Sequence, residues 1–234
     1  SEVAAKCRGA ENERKQEVGM NARYRWLNLS VSYERLDNAL TQMFKIYKDD
    51  MLLVKRSNIT QPVRNLLVFL SANPTWGVYS PGWSAGMQKP WTRIEFDDPR
   101  AESGKVNISY TKPRLMFTFN NAFRFRHSWQ LEANMHIQTK GDYLNFRMTT
   151  PGCNIGFVVQ KCWLKNDALC LRVSVQDILK RSLQKTYSDA GFLIHTETPI
   201  RNNQRLDVSL RYTFNASKSR YKGTGAGKDA QSRM

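Results

Sequence analysis

The residues of this sequence that could do chemistry are scattered rather than grouped. The three histidines, His127, His136 and His195, stand at no metal-ligand spacing from one another or from a pair of cysteines. Neither a Gly-x-Ser-x-Gly nucleophile motif nor a pair of catalytic carboxylates is evident. The sequence therefore predicts no catalytic residue, no metal site and no cofactor, and indicates that the protein is not an enzyme.

The four cysteines, Cys7, Cys153, Cys162 and Cys170, are too few and too irregularly spaced for a disulfide scaffold or a zinc site. Cys162 and Cys170 flank a predicted turn at 164–167. Both occupy alternating positions that are expected to lie on the polar face of the flanking strands. Two such residues could face each other across a hairpin and form a disulfide. The alternative is a pair of small free side chains on the polar face.

The C-terminal tail contains three glycines and a lysine that suggest a phosphate-binding loop, namely Gly223, Gly225, Gly227 and Lys228. A P-loop requires glycine five residues before the Gly-Lys pair and serine or threonine directly after it. Lys222 and Asp229 occupy those two positions. The pattern therefore favours a flexible tail over a phosphate site.

Three tryptophans, Trp76, Trp83 and Trp91, fall within residues 73–103, where prolines and glycines interrupt any strand pattern. We predict a long loop here, with room for a short hairpin. The indoles could bind a sugar or an aromatic ligand. The alternative, which we favour, is that they cap the mouth of a barrel or lie at a membrane interface, as aromatic girdles do.

Composition limits the class of protein more than it identifies a partner. Of 234 residues, 41% are hydrophobic and 11% aromatic, enough for one large domain. The 36 Lys and Arg against 20 Asp and Glu give a net charge of +16, which suits nucleic acid, anionic lipid or an anionic solute. No apolar run predicts a transmembrane helix, and the first residues are charged, unlike a secretory signal. Because the sequence does not begin with methionine, its start says nothing about location.

The elements that must position these residues are β-strands of alternating polarity. In residues 205–214 one face is wholly apolar, and we expect that face to contact lipid: Leu206, Val208, Leu210, Tyr212 and Phe214. The same alternation runs through residues 27–34, 115–120, 129–138 and 169–176, and more weakly through 40–46 and 63–72.

Connections between these strands alternate in length. Turns at 124–127 and 164–167 are short, whereas the connections at 139–152 and 180–203 are long. This arrangement is typical of outer-membrane barrels, which are apolar outside and polar inside. The sequence predicts an all-β, antiparallel transmembrane β-barrel, a partial one of about 8–10 strands with long external loops. We expect a polar loop at 1–20, the barrel region at 21–214 and a flexible, basic, glycine-rich tail at 215–234.

The polar faces of the strands would line the barrel lumen. We expect five residues there, Arg172, Arg205, Arg211, Glu132 and His136. The arginines could bias passage toward anions. Alternatively, each could pair with a neighbouring carboxylate such as Glu132 or Asp207.

Three segments of the sequence resemble a known family. They read PRLMFTFNNAFRFRHSWQLEANMHIQTKG, IGFVVQKCWLKNDALCLRVSVQDIL and RLDVSLRYTFNASKSRYKGTGAG. They resemble the closing strands of the outer-membrane β-barrel of TonB-dependent receptor-like proteins, and the Tyr-x-Phe-Asn strand end with its glycine-rich tail is the most specific part. The chain departs from the family in lacking a plug and an energy-coupling box near its start, and Phe214 lies 20 residues inside the chain.

The resemblance implies the C-terminal part of a receptor or transporter for ligand uptake across the outer membrane of a Gram-negative bacterium. It also implies contact with outer-membrane lipid and with the barrel-assembly machinery. It further implies that the full-length protein has a TonB-type energy-coupling protein and a surface lipoprotein as partners. Nucleic acid is not an expected partner.

Two other functions are open at this point. One is a structural or assembly barrel in the outer membrane, without transport. The other is a soluble basic β-protein that binds nucleic acid or an apolar ligand, for which salt-sensitive nucleic-acid binding is expected.

Overall fold

The computed structural model describes residues 13–47, 51–97, 102–190 and 194–214. Apart from a single 3-10 turn at Lys165–Asp167, the regular elements of these residues are β-strands, and every pairing is antiparallel. The strands are β1 Arg14–Tyr24, β2 Leu27–Asp37, β3 Leu40–Tyr47, β4 Met51–Asn58, β5 Val63–Ala72, β6 Tyr79–Asp97, β7 Lys105–Tyr110, β8 Arg114–Phe125, β9 Trp129–Gln138, β10 Gly141–Tyr143, β11 Phe146–Met148, β12 Gly152–Trp163, β13 Leu169–Gln176, β14 Thr186–Asp189, β15 Ile194–Glu197 and β16 Arg205–Tyr212. The expected all-β, antiparallel class is confirmed.

The largest sheet has ten strands, of which β7 pairs only with β6. The other nine, here called the wall, have the order β1-β2-β5-β6-β8-β9-β12-β13-β16. Within the described residues β1 and β16 are its two edges, so the sheet does not close on itself. Short connections join its strands at one end, the turn end. The long connections lie at the opposite end.

The two faces of the wall differ in polarity because side chains alternate along each strand. In β9, for example, Leu131, Met135 and Ile137 lie on one face, and Glu132 and His136 lie on the other. Neighbouring strands keep this register, so that apolar residues align with apolar residues across the sheet. The wall therefore has a continuous apolar face and a continuous polar face.

The strand register shows how steeply the wall strands are tilted. Followed from pair to pair, Leu27 at the β1–β2 turn lies in the same row as Ile155 in β12. The β12–β13 hairpin ends at Trp163, eight residues beyond that row, and its centre lies six strand positions from the centre of the β1–β2 hairpin. With about 3.3 Å per residue and about 4.8 Å between strands, this stagger corresponds to a tilt of about 40°, as closed barrels require.

The apolar face has the height of a bilayer core. In β8, apolar-face positions run from Leu115 to Phe125, with Asn121 as their one polar member. At the tilt derived above, this span rises about 25 Å, which is the height of the apolar band on outer-membrane barrels. The wall thus combines the tilt and the apolar height of a membrane-spanning barrel segment.

The hydrophobic core lies beyond the wall, among the long connections. There, β3 pairs with β4, β7 pairs with the distal part of β6, and a third sheet has the order β10-β11-β14-β15. We call these three units together the cap. Its buried core residues are Ala39, Ile59, Val63, Ile94, Phe96, Tyr110 and Ala190. The long connections are therefore folded against one another.

Several sequence predictions about loops were wrong. Residues 14–20 belong to β1 rather than to a polar loop, and most of 73–103 forms β6. Prolines are tolerated in β6 because Pro81 lies where the strand pairs only with β8, and Pro90 where it pairs only with β5. The connections predicted at 139–152 and 180–203 contain the short strands of the cap. Residues 1–12 and 215–234 lie outside the described residues.

The described part of the chain contains no helix with the length and hydrophobicity that a membrane span requires.

Candidate functional site in the cap

The cap contains a cleft of about 480 Å³ between the β3–β4 hairpin and the four-stranded sheet. One face of that sheet forms its floor, because Phe146 on β11, Ser188 on β14 and His195 on β15 share one parity. The lining residues are Leu40, Thr41, Gln42, Arg56, Leu144, Asn145, Phe146, Thr186, Ser188, His195 and Glu197. Its volume lies in the range of small-molecule sites.

The lining groups can form hydrogen bonds of both kinds with a ligand. Thr41 and Thr186 carry hydroxyls, whereas Arg56 and Glu197 carry opposite charges. Phe146 and the two leucines supply apolar surface. This mixture suits a small polar ligand without a large net charge.

Two hydrogen bonds fix the position of Asn145, which bridges the two sides of the cleft. The side-chain amide of Asn145 donates a hydrogen bond of 2.7 Å to the carbonyl oxygen of Gln42 on β3. The hydroxyl of Ser188 donates one of 2.9 Å to the carbonyl oxygen of Asn145. The β10–β11 turn is therefore attached to both sides, which fixes the width of the cleft.

A buried carboxylate, Asp142, fastens the cap to the wall. It is 0% exposed and accepts hydrogen bonds from the backbone N–H groups of Thr111 and Lys112 at 2.8 and 2.9 Å. Arg147 donates two further bonds to it, at 2.6 and 3.1 Å. These bonds with Asp142 raise the pKa of the Arg147 guanidinium. Since Thr111 and Lys112 connect β7 to β8, this cluster fixes the β10–β11 hairpin above the wall.

Tyr110 joins the β7 strand to the four-stranded sheet. Its hydroxyl accepts a bond of 3.0 Å from the N–H of Asp189 and donates one of 3.3 Å to the carbonyl oxygen of the same residue. Burial raises the pKa of the Tyr110 phenol above its usual value. The phenol is therefore held neutral within the cap core.

A second buried carboxylate, Asp177, orders the connection after β13. Its Oδ1 accepts the N–H groups of Arg181 and Ser182, both at 3.1 Å, and its Oδ2 accepts the hydroxyl of Ser182 at 2.5 Å. Its own N–H donates to Asn154 on β12. The loop that leads to the floor of the cleft therefore starts from a fixed position.

The five residues predicted to line the lumen all lie on the polar face of the wall. Glu132 pairs with Arg172 at 3.6 Å, and Arg205 pairs with Asp207 at 2.6 Å. For these two arginines the structure favours the pairing alternative. Arg211 lies beside Cys170 and has no ion pair among the described residues.

His136 is held by its neighbours on the polar face. The amide nitrogen of Gln138 lies 2.7 Å from its Nε2, and the hydroxyl oxygen of Thr118 lies 3.0 Å from its Nδ1. Both ring nitrogens of His136 therefore have a hydrogen-bond partner on the polar face. His136 therefore links Thr118 on β8 to Gln138 on β9 along the polar face.

The residues predicted to contact lipid lie on the apolar side of β16. The exposed fractions of Leu206, Val208 and Leu210 are 66%, 64% and 68%, and Tyr212 and Phe214 are also exposed. Tyr212 and Phe214 contact each other edge to face, with ring centroids 4.6 Å apart. This face is available to a surrounding apolar medium.

The three tryptophans of the predicted ligand site do not converge. Trp76 lies in the β5–β6 connection at the turn end, with its ring 6.1 Å from that of Trp83 on the apolar face. Trp91 lies eight residues farther along β6, beside Lys89. Their positions favour the interfacial interpretation over a shared binding site.

The structure joins Cys162 to Cys170 by a disulfide across the β12–β13 pair. Both lie on the polar face, as the shared parity predicts. Cys153 is a free cysteine on the other face of β12.

Sequence reasoning missed the cleft and both buried carboxylates. Asp142 and Asp177 each bind backbone N–H groups, a role that no spacing motif marks; the only signal is an aspartate beside a glycine or directly after a strand. Among the described residues, no group of three His, Cys, Asp or Glu side chains is arranged to hold a metal.

A family model described as "Outer membrane protein beta-barrel family" matches residues 11–222. No curated protein matches the chain. No solved structure matches it either.

Proposed function

Because the chain belongs to the outer membrane protein β-barrel family, we propose that it acts as the wall and cap of a receptor that takes up a ligand across the outer membrane. The observation that carries the proposal is the cleft in the cap, which is built from the long connections at the end of the wall opposite the turn end. A ligand captured between the β3–β4 hairpin and the four-stranded sheet would next meet the polar face. The buried carboxylates of Asp142 and Asp177 hold the loops around the cleft in place before a ligand binds. This reduces the conformational entropy that is lost on binding.

The ligand class follows from the lining of the cleft. One arginine, one glutamate, several hydroxyls and amides, and an aromatic ring suit a small polar molecule, either neutral or zwitterionic. A polyanion would meet Glu197, and a polycation would meet Arg56. We therefore propose uptake of a small, polar, nearly uncharged solute.

The energy source and location are proposed from the resemblance of the closing strands. Energy would come from a TonB-type coupling protein, through a plug supplied by another part of the full-length receptor. The host would be a Gram-negative bacterium, with a surface lipoprotein as a further partner. The apolar face and the family membership support this location over the alternative of a soluble nucleic-acid-binding protein.

The test is ligand binding to the purified chain in detergent micelles. A panel of small sugars, amino acids and dipeptides is screened by isothermal calorimetry. We expect at least one class of solute to bind. If that solute contacts the Arg56 side chain, Arg56→Gln should weaken its affinity by about ten-fold. The matched control is Arg93→Gln, because Arg93 is an exposed arginine of the cap that does not line the cleft.

Two outcomes would contradict the receptor proposal. One is that no class of solute binds the folded chain. The other is that Arg56→Gln and Arg93→Gln weaken binding equally. Either result would favour the structural or assembly barrel without transport.

A further inference from the structure

One lysine lies on the apolar face of the wall near the turn end. Lys161 on β12 pairs with Trp129 on β9 and with Leu171 on β13, and it precedes Trp163 by two positions on the same face. Its neighbours on that face are therefore aromatic or aliphatic. A charge in this environment is costly at the bilayer midplane and nearly free of cost at the interface.

The Lys161 ammonium points toward the interface at the turn end. It donates a hydrogen bond to the carbonyl oxygen of His127 in the β8–β9 turn. It also lies 5.2 Å from the centre of the Trp129 ring and 6.0 Å from that of Trp163. An ammonium has three donors, so this position leaves N–H groups for a further acceptor.

No carboxylate among the described residues pairs with Lys161. The nearest turn offers Asp167, but its Oδ1 accepts the hydroxyl of Ser128 at 2.6 Å. The exposed side chains of Arg126 and Lys165 lie in the two turns that flank the site and add positive charge at the aqueous boundary. The site therefore has an excess of positive charge beside an apolar surface.

The two turns around Lys161 form one fixed unit. The N–H of Cys162 donates a bond of 3.1 Å to the carbonyl oxygen of Ser128, in addition to the Ser128–Asp167 bond. Trp129 and Trp163 are 44% and 41% exposed, so both indoles present a face to the surroundings. An interfacial ligand would find this surface preformed.

We propose that Trp129, Lys161 and Trp163 form a binding site for the phosphate group of a phospholipid in the leaflet at the turn end. The phosphate oxygens accept N–H groups of Lys161, and the indoles pack against the glycerol region of the same lipid. Such a ligand combines the anionic and apolar parts that the site requires. The assignment rests on family membership and on these contacts, and it does not depend on the receptor function.

The experiment measures lipid adducts on the full chain in detergent micelles by native mass spectrometry, with phosphatidylglycerol and diacylglycerol as probes. Lys161→Gln should lower the affinity for phosphatidylglycerol about five-fold, while diacylglycerol binding stays unchanged. The matched control is Lys89→Gln, since Lys89 lies on the same face beside Trp91, at the other end of the wall. It should bind phosphatidylglycerol like the parent chain.

The proposal is overturned if Lys161→Gln binds phosphatidylglycerol as the parent does, if Lys89→Gln shows an equal loss, or if diacylglycerol binding falls equally. Should Lys161→Gln fail to fold, two other variants decide the question. Lys161→Arg keeps the charge and should keep the binding, whereas Trp163→Leu should weaken it. Parent-like binding by both variants would also overturn the assignment.

Discussion

Tyr79 and Asn121 are joined across the β6–β8 pair by a hydrogen bond of 2.6 Å, which the tyrosine hydroxyl donates to Oδ1 of the asparagine. The indole N–H of Trp83 donates to the same oxygen at 3.1 Å. Asn121 is the polar member of the apolar face of β8, and these two bonds satisfy its carbonyl. Three polar groups are thereby kept from facing lipid unpaired.

Asn121→Leu should destabilise the wall although leucine is more apolar. Two donors lose their acceptor, which should lower the free energy of unfolding by about 1–2 kcal/mol. Urea unfolding of the protein in lipid vesicles measures this free energy of unfolding. Tyr79→Phe supplies the control, because the double variant should lose less than the sum of the two single changes. A more stable Asn121→Leu variant would show that the bonds contribute nothing.

Asp142→Asn should loosen the cap while the wall stays folded. The amide cannot accept all four hydrogen bonds that the carboxylate accepts, so the cap should lose about 2–3 kcal/mol. Hydrogen exchange at the amides of Thr111 and Lys112 reports the loss. Glu95→Gln is the control, since the Glu95–Lys105 pair is exposed and should contribute about 0.5 kcal/mol. Equal exchange in the two variants would count against the role of Asp142.

Alkaline pH should weaken the cap through Tyr110. Burial raises the folded-state pKa of this phenol above its ordinary value of 10.0. Below that value both states hold the proton and the contribution is complete; as the pH rises further, the unfolded chain releases the proton first and stability falls. Phenolate absorbance should show a late-titrating tyrosine that Tyr110→Phe removes. An unchanged titration curve in Tyr110→Phe would contradict the assignment.

The Cys162–Cys170 disulfide should appear as linked peptides in mass spectrometry without reductant. The two residues are eight positions apart, so replacing both by serine should cost at most about 2.5 kcal/mol in the chain-entropy model, and less because the β12–β13 ladder persists. Cys153→Ser should leave both the linked peptides and stability unchanged. Two free thiols at positions 162 and 170 would contradict the prediction.

Leu210→Arg should block membrane insertion of β16. An arginine on the apolar face costs about 2–4 kcal/mol near the bilayer midplane. Ser209→Arg is the matched control, because its side chain lies on the polar face and insertion should proceed. Detergent-resistant, heat-modifiable migration on gels measures insertion. Normal insertion of Leu210→Arg would mean that this face does not contact lipid.

The wall could be predicted from the sequence because a membrane strand repeats one rule at every second position. Leu206 to Phe214 and Trp129 to Ile137 follow that rule without interruption. In β1 the signal weakens because Arg14 to Glu17 are polar on both faces, and in β6 because Pro81 and Pro90 interrupt the pattern although the pairing tolerates them. The membrane supplies the same environment along the whole face, so local alternation carries most of the information.

The cap and its cleft could not be predicted in the same way. Strands β10 and β11 have three residues each, too short for alternation to be visible. Their positions depend on contacts between distant parts of the chain, such as Asn145 with Gln42 and Tyr110 with Asp189. A carboxylate that binds backbone N–H groups, as Asp142 does, leaves no side-chain pattern to recognise.

The number of wall strands limits how the sheet can become a cylinder. Each antiparallel pairing reverses the strand direction, so the eight pairings between β1 and β16 leave these two edges running the same way. They cannot be joined directly in an antiparallel manner, and a second copy inserted in the same orientation would meet both edges in parallel. An antiparallel cylinder that includes this wall therefore needs an odd number of additional strands.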